Sequence, residues 1–455
     1  MPQAALEELS FHRTTLEINR CEAETRAVVR RSLFWMVVVA LALRLAVMGF
    51  LYPERTDPYR DHWRLGGESG RIARSIAQGD GFSNPLFGKT GPTAWLTPVF
   101  PYLLAGIFKI FGVYSKASAI AALALDCLLS ALTCVPVYFI ARKNFGDSTA
   151  LWAGWIWAFF PYAIFFSADF IWATTLTTLL LALIFLFVMY LPACSSIWPW
   201  VGFGVLSGVG GLTDAVVMSV APLLGAWAWY GLYKSGRRWL APGLAAVMAV
   251  TVVVSPWFLR NYETFHQVIP FRSCLGLELY FGNNQDSWHW GPPGYHPSDN
   301  EQEWREYQQL GEVAFTSKKF HEGLAFIGAH RTLYVQQTLR RVVYWWTGFW
   351  SFSRRYLQEE PADPFNMVFC TGLTVLTLTG LWRAWRVAPN LAFPYVLVFV
   401  FFPLVYYFTH PEDYYRRPID PQFVVLAAYA AAPWFRKRNP GRVEVETEVV
   451  TAMAE

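Results

Sequence analysis

Charge is what this sequence has least of. Only 15% of its 455 residues are Asp, Glu, Lys or Arg, against about 25% in an ordinary soluble domain. A single soluble core is therefore excluded, since 54% of the residues are hydrophobic and too few charged ones remain to cover such an interior. The net charge of +4 is too small to argue for a nucleic-acid partner. Cysteine is scarce as well. The six present show no metal-ligand spacing, and Cys127, Cys134 and Cys370 lie inside apolar runs, where a small apolar role is expected rather than a disulfide framework. Phosphate-cradling glycine loops, a G-x-S-x-G elbow, H-E-x-x-H and a G-x-G-x-x-G fingerprint are all missing, so a nucleotide substrate has no support.

Long apolar runs are abundant instead. Candidate spans are Ser32–Leu51, Ala117–Ala141, Thr149–Ala168, Phe170–Leu191, Trp198–Leu212, Ala215–Tyr233, Trp239–Phe258, Asn366–Trp382, Leu391–Thr409 and Pro421–Phe435. Most have the length that crosses a bilayer as a helix. The expectation is an all-α polytopic membrane protein with about ten transmembrane helices. "SLFWMVVVALALRLAVMGFL" follows a mostly polar tail and reads as a retained anchor rather than a cleaved leader.

Orientation rests on the short apolar stretch "PVFPYLLAGIFKIFG", Pro98–Gly112. If it does not cross, five basic groups fall on one side. These are the tail with Arg13, Arg20, Arg26, Arg30 and Arg31, then Arg142–Lys143, Lys234 with Arg237–Arg238, Arg383 with Arg386, and Arg436–Lys437–Arg438. By the positive-inside rule that side is the cytoplasm. Residues 1–31 and 436–455 are then cytoplasmic tails around a membrane domain, 32–435. Pro98–Gly112 becomes a re-entrant or interfacial helix. The opposite face receives a first external loop, 53–116, a second external cap loop, 261–366, and the junctions at Asp169, Asp214 and "HPEDYYRRPID".

Nearly every carboxylate available for chemistry falls on that opposite face. The first loop holds Asp57, Asp61, His62, Glu68 and Asp80. "GGESGRIARSIAQGDGF" predicts a short charged helix closed by Gly79 and Gly81. Asp169 and Asp214 each precede an apolar run and serve equally as helix caps. Asp126 lies inside a span, where an ionisable group is a functional candidate or a buried hydrogen-bonding one. Arg416 and Arg417 break the positive-inside pattern, either as snorkelling groups or as an anion site suited to phosphate oxygens. Arg260 stands at another external helix end.

Taken together, "GGESGRIARSIAQGDGFSNP", "GPTAWLTPVFPYLLAGIFKIFG", "GVGGLTDAVVM", "SPWFLRNYETFHQVIPFRSCLGLELYFGNN" and "YYRRPIDP" resemble the glycosyltransferase C superfamily. The likeness is to relatives of the dolichyl-phosphate-mannose protein mannosyltransferases and the lipid A aminoarabinose transferases. The resemblance implies an inner-membrane enzyme that takes a sugar from a polyprenyl- or dolichyl-phosphate donor on the non-cytoplasmic face. Membrane lipids and an acceptor of unknown class are its partners. By position Glu68 matches the family's acidic residue of the first interfacial helix, Asp169 falls near another, and Arg416 falls on the arginine of the last external junction. Relatives often carry a charged residue before the proline of the re-entrant helix. Here Leu96–Thr97–Pro98 stands there, which leaves Lys89, Arg71 or Arg260 for that phosphate contact.

The expected reaction is a single inverting displacement. Glu68 first, or Asp61, takes the acceptor proton, and Arg416 with Arg260 or Arg71 holds the leaving phosphate. A divalent cation on Asp61, His62 and Glu68 is an open alternative. The competing function is a transporter or flippase for a lipid-linked or anionic substrate, built on Asp126 and Arg416.

Overall fold

The computed structural model describes residues 31–50, 65–287, 294–348, 363–412 and 414–436, with Arg354 and Gln358 besides. Among them every regular element is helical. The one β feature is an isolated antiparallel bridge between Ser83 and Pro92. In chain order the helices are α1 (Arg31–Phe50), α2 (Gly67–Gln78), α3 (Val99–Phe111), α4 (Lys116–Leu132), α5 (Cys134–Phe145), α6 (Asp147–Ala158), α7 (Pro161–Asp169) and α8 (Thr174–Val188). There follow α9 (Ile197–Thr213), α10 (Ala221–Lys234), α11 (Leu240–Phe265), α12 (Leu275–Gly282), α13 (Glu301–Leu310), α14 (Glu312–Ala329) and α15 (Arg331–Thr347). The chain closes with α16 (Asp363–Val387), α17 (Pro389–Phe401), α18 (Leu404–Phe408) and α19 (Asp420–Arg436).

Among the described residues eight stretches are long and apolar enough to cross a membrane, and they fall at eight of the ten expected places. This is an integral membrane protein. The remaining two places are occupied by α9 and α19, each of 17 residues. The ambiguous Pro98–Gly112 stretch contains the 13-residue helix α3, the length of an interfacial segment rather than a full crossing.

Two devices hold the bundle. Arg44 sits inside the α1 span yet is fully buried. Its guanidinium donates to Ser130 Oγ at 2.8 Å, to the Ala40 and Ala158 carbonyls at 3.0 Å and to the Trp157 carbonyl at 3.2 Å. The last two are carbonyls at the break where α6 ends and Pro161 starts α7, the Trp157 one also accepting from Phe160 N at 3.1 Å. In lipid no water is present to satisfy them, so a buried donor must. The second device is a glycine seam. A Cβ on Gly204 would lie 2.4 Å from the Ala246 carbonyl oxygen and one on Gly208 2.8 Å from Val253. The α9–α11 contact, the most extensive in the chain, therefore depends on small residues. Between helices in lipid, close packing replaces the hydrophobic effect.

At one end of the bundle α2 lies against α3. Gly66 enters α2 with φ 91° and Gly79 leaves it with φ 95°, a left-handed backbone that glycine adopts without strain. Gly70 permits the tight entry, because a Cβ there would stand 2.3 Å from the Leu65 carbonyl oxygen. The loop after α2 is tied to the second loop region by one carboxylate. Glu312, the first residue of α14, accepts from the Ala94 amide at 2.8 Å and the Ser273 hydroxyl at 2.7 Å, and also from Thr93 Oγ1. Ser273 N returns a hydrogen bond to the Ala94 carbonyl at 2.8 Å.

Candidate active site

The junctions that sequence placed on one face meet around a cavity of about 600 Å³. Its walls come from the start of α2, the return segment Trp95–Pro101, residues 170–174 after α7, residues 213–219 after α9, the stretch from Phe271 into α12, and the junction after α18. Aromatic rings supply much of the surface, notably Trp95, Phe170, Trp172, Tyr406, Tyr414 and Tyr415. Such walls suit a ligand that is part apolar chain and part polar head.

Glu68 opens α2 at the cavity wall and is 5% exposed. His296 Nε2 donates to its Oε1 at 3.1 Å. Oε2 is buried and has no hydrogen-bond partner. Burial pushes this carboxyl up, but the hydrogen bond and charge of His296, the backbone and Arg71 outweigh it, so Glu68 rests below the usual glutamate range. It is an ionised carboxylate with one oxygen anchored and the other unspent.

Opposite functional types share the same cavity. Arg272 is the one Arg or Lys among the described residues that line it. Its Nη2 donates to Glu278 Oε1 at 3.2 Å, from the first turn of α12. Burial alone would lower Arg272, but Cys274, Glu278 and Asp214 raise it well above the ordinary arginine value, so it stays a cation. Asp214 lines the cavity too and caps the short 3₁₀ helix Ala215–Ser219, accepting from Val216 N at 3.3 Å. The expected capping role is thus present together with a cavity position. Burial raises Asp214, with Arg272 pulling the other way.

The other residues singled out from sequence have different surroundings. Asp61 and His62 lie outside the described residues. Asp169, at the end of α7, is buried and is not in the cavity lining, which its neighbours Phe170 and Trp172 join. Arg416 is buried outside the cavity lining, with Nε 3.3 Å from Asp420 Oδ1, Nη1 donating to the Trp345 carbonyl and the guanidinium over Phe423. Arg417 Nη1 takes the other oxygen of Asp420 at 3.3 Å. Arg260 donates to the carbonyls of Phe82 and Thr93 and staples the 82–93 loop to α11. Arg71 donates to the Pro85 carbonyl at 3.2 Å and lies over Phe87. Lys89 is exposed. None of these five cations lines the cavity. Asp126 is buried within the bundle, 2% exposed, and is likewise not in the lining.

Arg272, Glu278, His296 and His410 were not singled out by sequence reasoning. Arg272 and Glu278 sit inside the stretch "SPWFLRNYETFHQVIPFRSCLGLELYFGNN", and His410 opens "HPEDYYRRPID". Their clustering in the external segments was the available signal. Among the described residues no group of three or more His, Cys, Asp or Glu stands together as a metal-ligand set. Of the three candidate cation ligands, Glu68 has one oxygen held by His296 and the other without a partner, while Asp61 and His62 lie outside the described residues.

A family model for dolichyl-phosphate-mannose-protein mannosyltransferases matches residues 96–259. That segment contains the return into α3 and the spans as far as Leu259, within α11. Two solved structures from Archaeoglobus fulgidus share the architecture. Oligosaccharyltransferase AglB in complex with an inhibitory peptide and a dolichol-phosphate is 14% identical, with a TM-score of 0.53 over 91% of this chain and 52% of that one. The crystal structure of the Archaeoglobus fulgidus oligosaccharyltransferase with Zn and sulfate gives 14% identity and a TM-score of 0.52, covering 92% of this chain and 51% of that one. The chain has the glycosyltransferase C fold. It spans about half the length of those oligosaccharyltransferases. No curated protein matches its sequence significantly. Within a glycosyltransferase C fold the cavity lies where the loop bearing α2 meets the segment after α11.

Proposed function

We propose that this protein is a glycosyltransferase that moves a sugar from a polyprenyl-phosphate-linked donor to an acceptor, with inversion, on the non-cytoplasmic face of an inner membrane. The orientation drawn from the basic clusters supports that face and two cytoplasmic tails. The donor class is supported by the match to the mannosyltransferase family model and by the dolichol-phosphate bound to the AglB neighbour. The single observation that carries the reading is one cavity lined both by Glu68, a buried carboxylate with one oxygen unpartnered, and by a permanent cation, Arg272.

The chemistry follows from those two groups. An acceptor hydroxyl or amine gives its proton to Glu68 Oε2 while it attacks the anomeric carbon. The bond from that carbon to the phosphate oxygen breaks, and the electron pair leaves on the lipid phosphate. Arg272 offers a planar pair of donors to the oxygens whose charge grows. Arg272 lines the cavity while also held by Glu278, whereas Arg416, Arg260 and Arg71 are engaged within the protein away from the lining. We therefore assign the donor phosphate to Arg272. Asp61 is retained as the second candidate base, and Asp169 as a further candidate acidic residue. The domain plan stays as drawn from sequence: tails at 1–31 and 436–455, a membrane domain at 32–435, and external segments at 53–116 and 261–366.

The test is mass spectrometry of lipid co-purifying with the protein, followed by transfer from that lipid. A polyprenyl-phosphate sugar bound by wild type, and transfer abolished in Glu68→Gln with lipid still bound, is the expected result. Full-rate transfer by that variant removes Glu68 as base, and the absence of any phospho-linked lipid argues against the reading as a whole.

A further inference from the structure

The carboxylate that holds Arg272 is shared with a second cation. Glu278 Oε1 accepts from Arg272 at 3.2 Å, and Glu278 Oε2 stands 3.6 Å from His410 Nδ1. His410 comes from the junction after α18, on the far side of the cavity in sequence from α12. It is anchored there by its Nδ1, 3.3 Å from the Glu278 carbonyl oxygen, and its ring meets Phe281 edge-on. On its other side Nε2 lies 3.5 Å from Tyr415 Oη and 4.0 Å from Glu412 Oε1. Both Arg272 and His410 line the cavity.

With His410 neutral, the charge of Glu278 rests on Arg272 and offsets its pull on an anion. With His410 protonated, Glu278 has a second counter-charge. Arg272 can then turn its donors to a phosphate without leaving a buried carboxylate unpaired, which is the costly alternative. We propose that Glu278 and His410 are positioning residues of the Arg272 phosphate site, and that a proton on His410 takes up the charge of Glu278 when an anion engages Arg272. This rests on the assignment of the donor phosphate to Arg272.

The groups facing His410 fix the sign. Glu278 on α12 and Glu412 on its own junction favour the proton. Arg272 and Arg341 oppose it, Arg341 donating to the Phe408 carbonyl from α15. In the empty cavity burial is the largest influence and holds His410 below the usual imidazole value, against the pull of Glu278. A bound phosphate diester adds one negative charge and raises His410. Linkage then makes anion binding tight below the lower of the two His410 values and weaker as pH rises through the upper one.

The experiment is binding of a polyprenyl methyl phosphodiester, which carries one charge throughout, to the full chain in lipid nanodiscs between about pH 5.5 and pH 8.5. Wild type is expected to lose about tenfold in affinity across that range, the ratio that a one-unit difference in proton affinity gives. His410→Gln and Glu278→Gln are expected to bind with a flat profile, and Glu278→Gln to bind at least as tightly as wild type at the acid end. A flat wild-type profile, or a full pH dependence kept in His410→Gln, overturns the proposal while leaving the Arg272 assignment in place. No binding by wild type at any pH overturns both.

Discussion

Glu68 Oε1 lies 3.1 Å from His296 Nε2, across the gap between α2 and the segment that precedes α13. One contact therefore joins the two external regions at the cavity wall and fixes which oxygen of Glu68 is left for chemistry. It also fixes the acidity of that carboxyl, since burial alone would raise it and His296 is the largest influence that lowers it.

Replacing His296 by Ala is expected to move the acid limb of the pH–rate profile upward. Glu68 acts as carboxylate. Without His296 the burial effect meets less opposition and the carboxyl becomes a weaker acid, so activity begins to fall at a higher pH than in wild type. A profile of transfer rate against pH for both proteins checks this. Glu68→Gln is expected to lose about 10²–10⁴-fold in rate with little change in donor affinity, as for removal of a general base.

Arg272→Lys keeps a charge but loses the planar fork. The expected effect is a donor KM raised by about tenfold, with a larger rise in Arg272→Ala, because charge-assisted hydrogen bonds contribute about 1.5–3 kcal/mol. Arg416→Lys serves as the contrast. Its guanidinium is occupied by Asp420 and the Trp345 carbonyl, so thermal stability should fall while donor KM in the folded fraction stays near wild type.

Glu312 ties the loop after α2 to α14 through Thr93, Ala94 and Ser273. Burial raises this carboxyl, with those three hydrogen bonds pulling it down. A carboxyl raised in the folded state stabilises it most below its unfolded value and loses that contribution as pH rises through its folded value. Glu312→Gln keeps an acceptor for the Ala94 amide and should change stability by less than about 1 kcal/mol at neutral pH. Glu312→Ala strands a buried amide and should cost about 1–3 kcal/mol. Thermal unfolding in detergent at two pH values distinguishes them.

Arg44→Leu removes the donor shared by the Trp157 and Ala158 carbonyls and Ser130. Leaving the Ala158 carbonyl without that donor, and the Trp157 carbonyl with Phe160 N alone, should cost at least about 2 kcal/mol in an apolar interior, despite leucine being the better residue for lipid. A higher melting temperature for Arg44→Leu than for wild type would refute the role given to Arg44.

Much of the molecule was legible from residue types in order. Shortage of charge and the recurrence of apolar runs forced a helical membrane protein, because only helices or closed barrels satisfy their own backbone in lipid. Gly79 and Gly81 marked the end of α2, since a left-handed backbone is open to glycine at no steric cost. The segments that build the cavity were readable too, as junctions that alternate in side along the chain. What sequence left open is which charged group faces the cavity and which is consumed elsewhere. Arg416 and Arg272 are alike as residues in external segments, yet Asp420 binds the first and the cavity exposes the second. The partnership of Glu68 with His296, and of Glu278 with both Arg272 and His410, joins residues far apart in the chain. Their energies depend on distance and burial, quantities that exist only once the helices have packed, and so the fold class belongs to the sequence while the chemistry of each charged group was decided by tertiary structure.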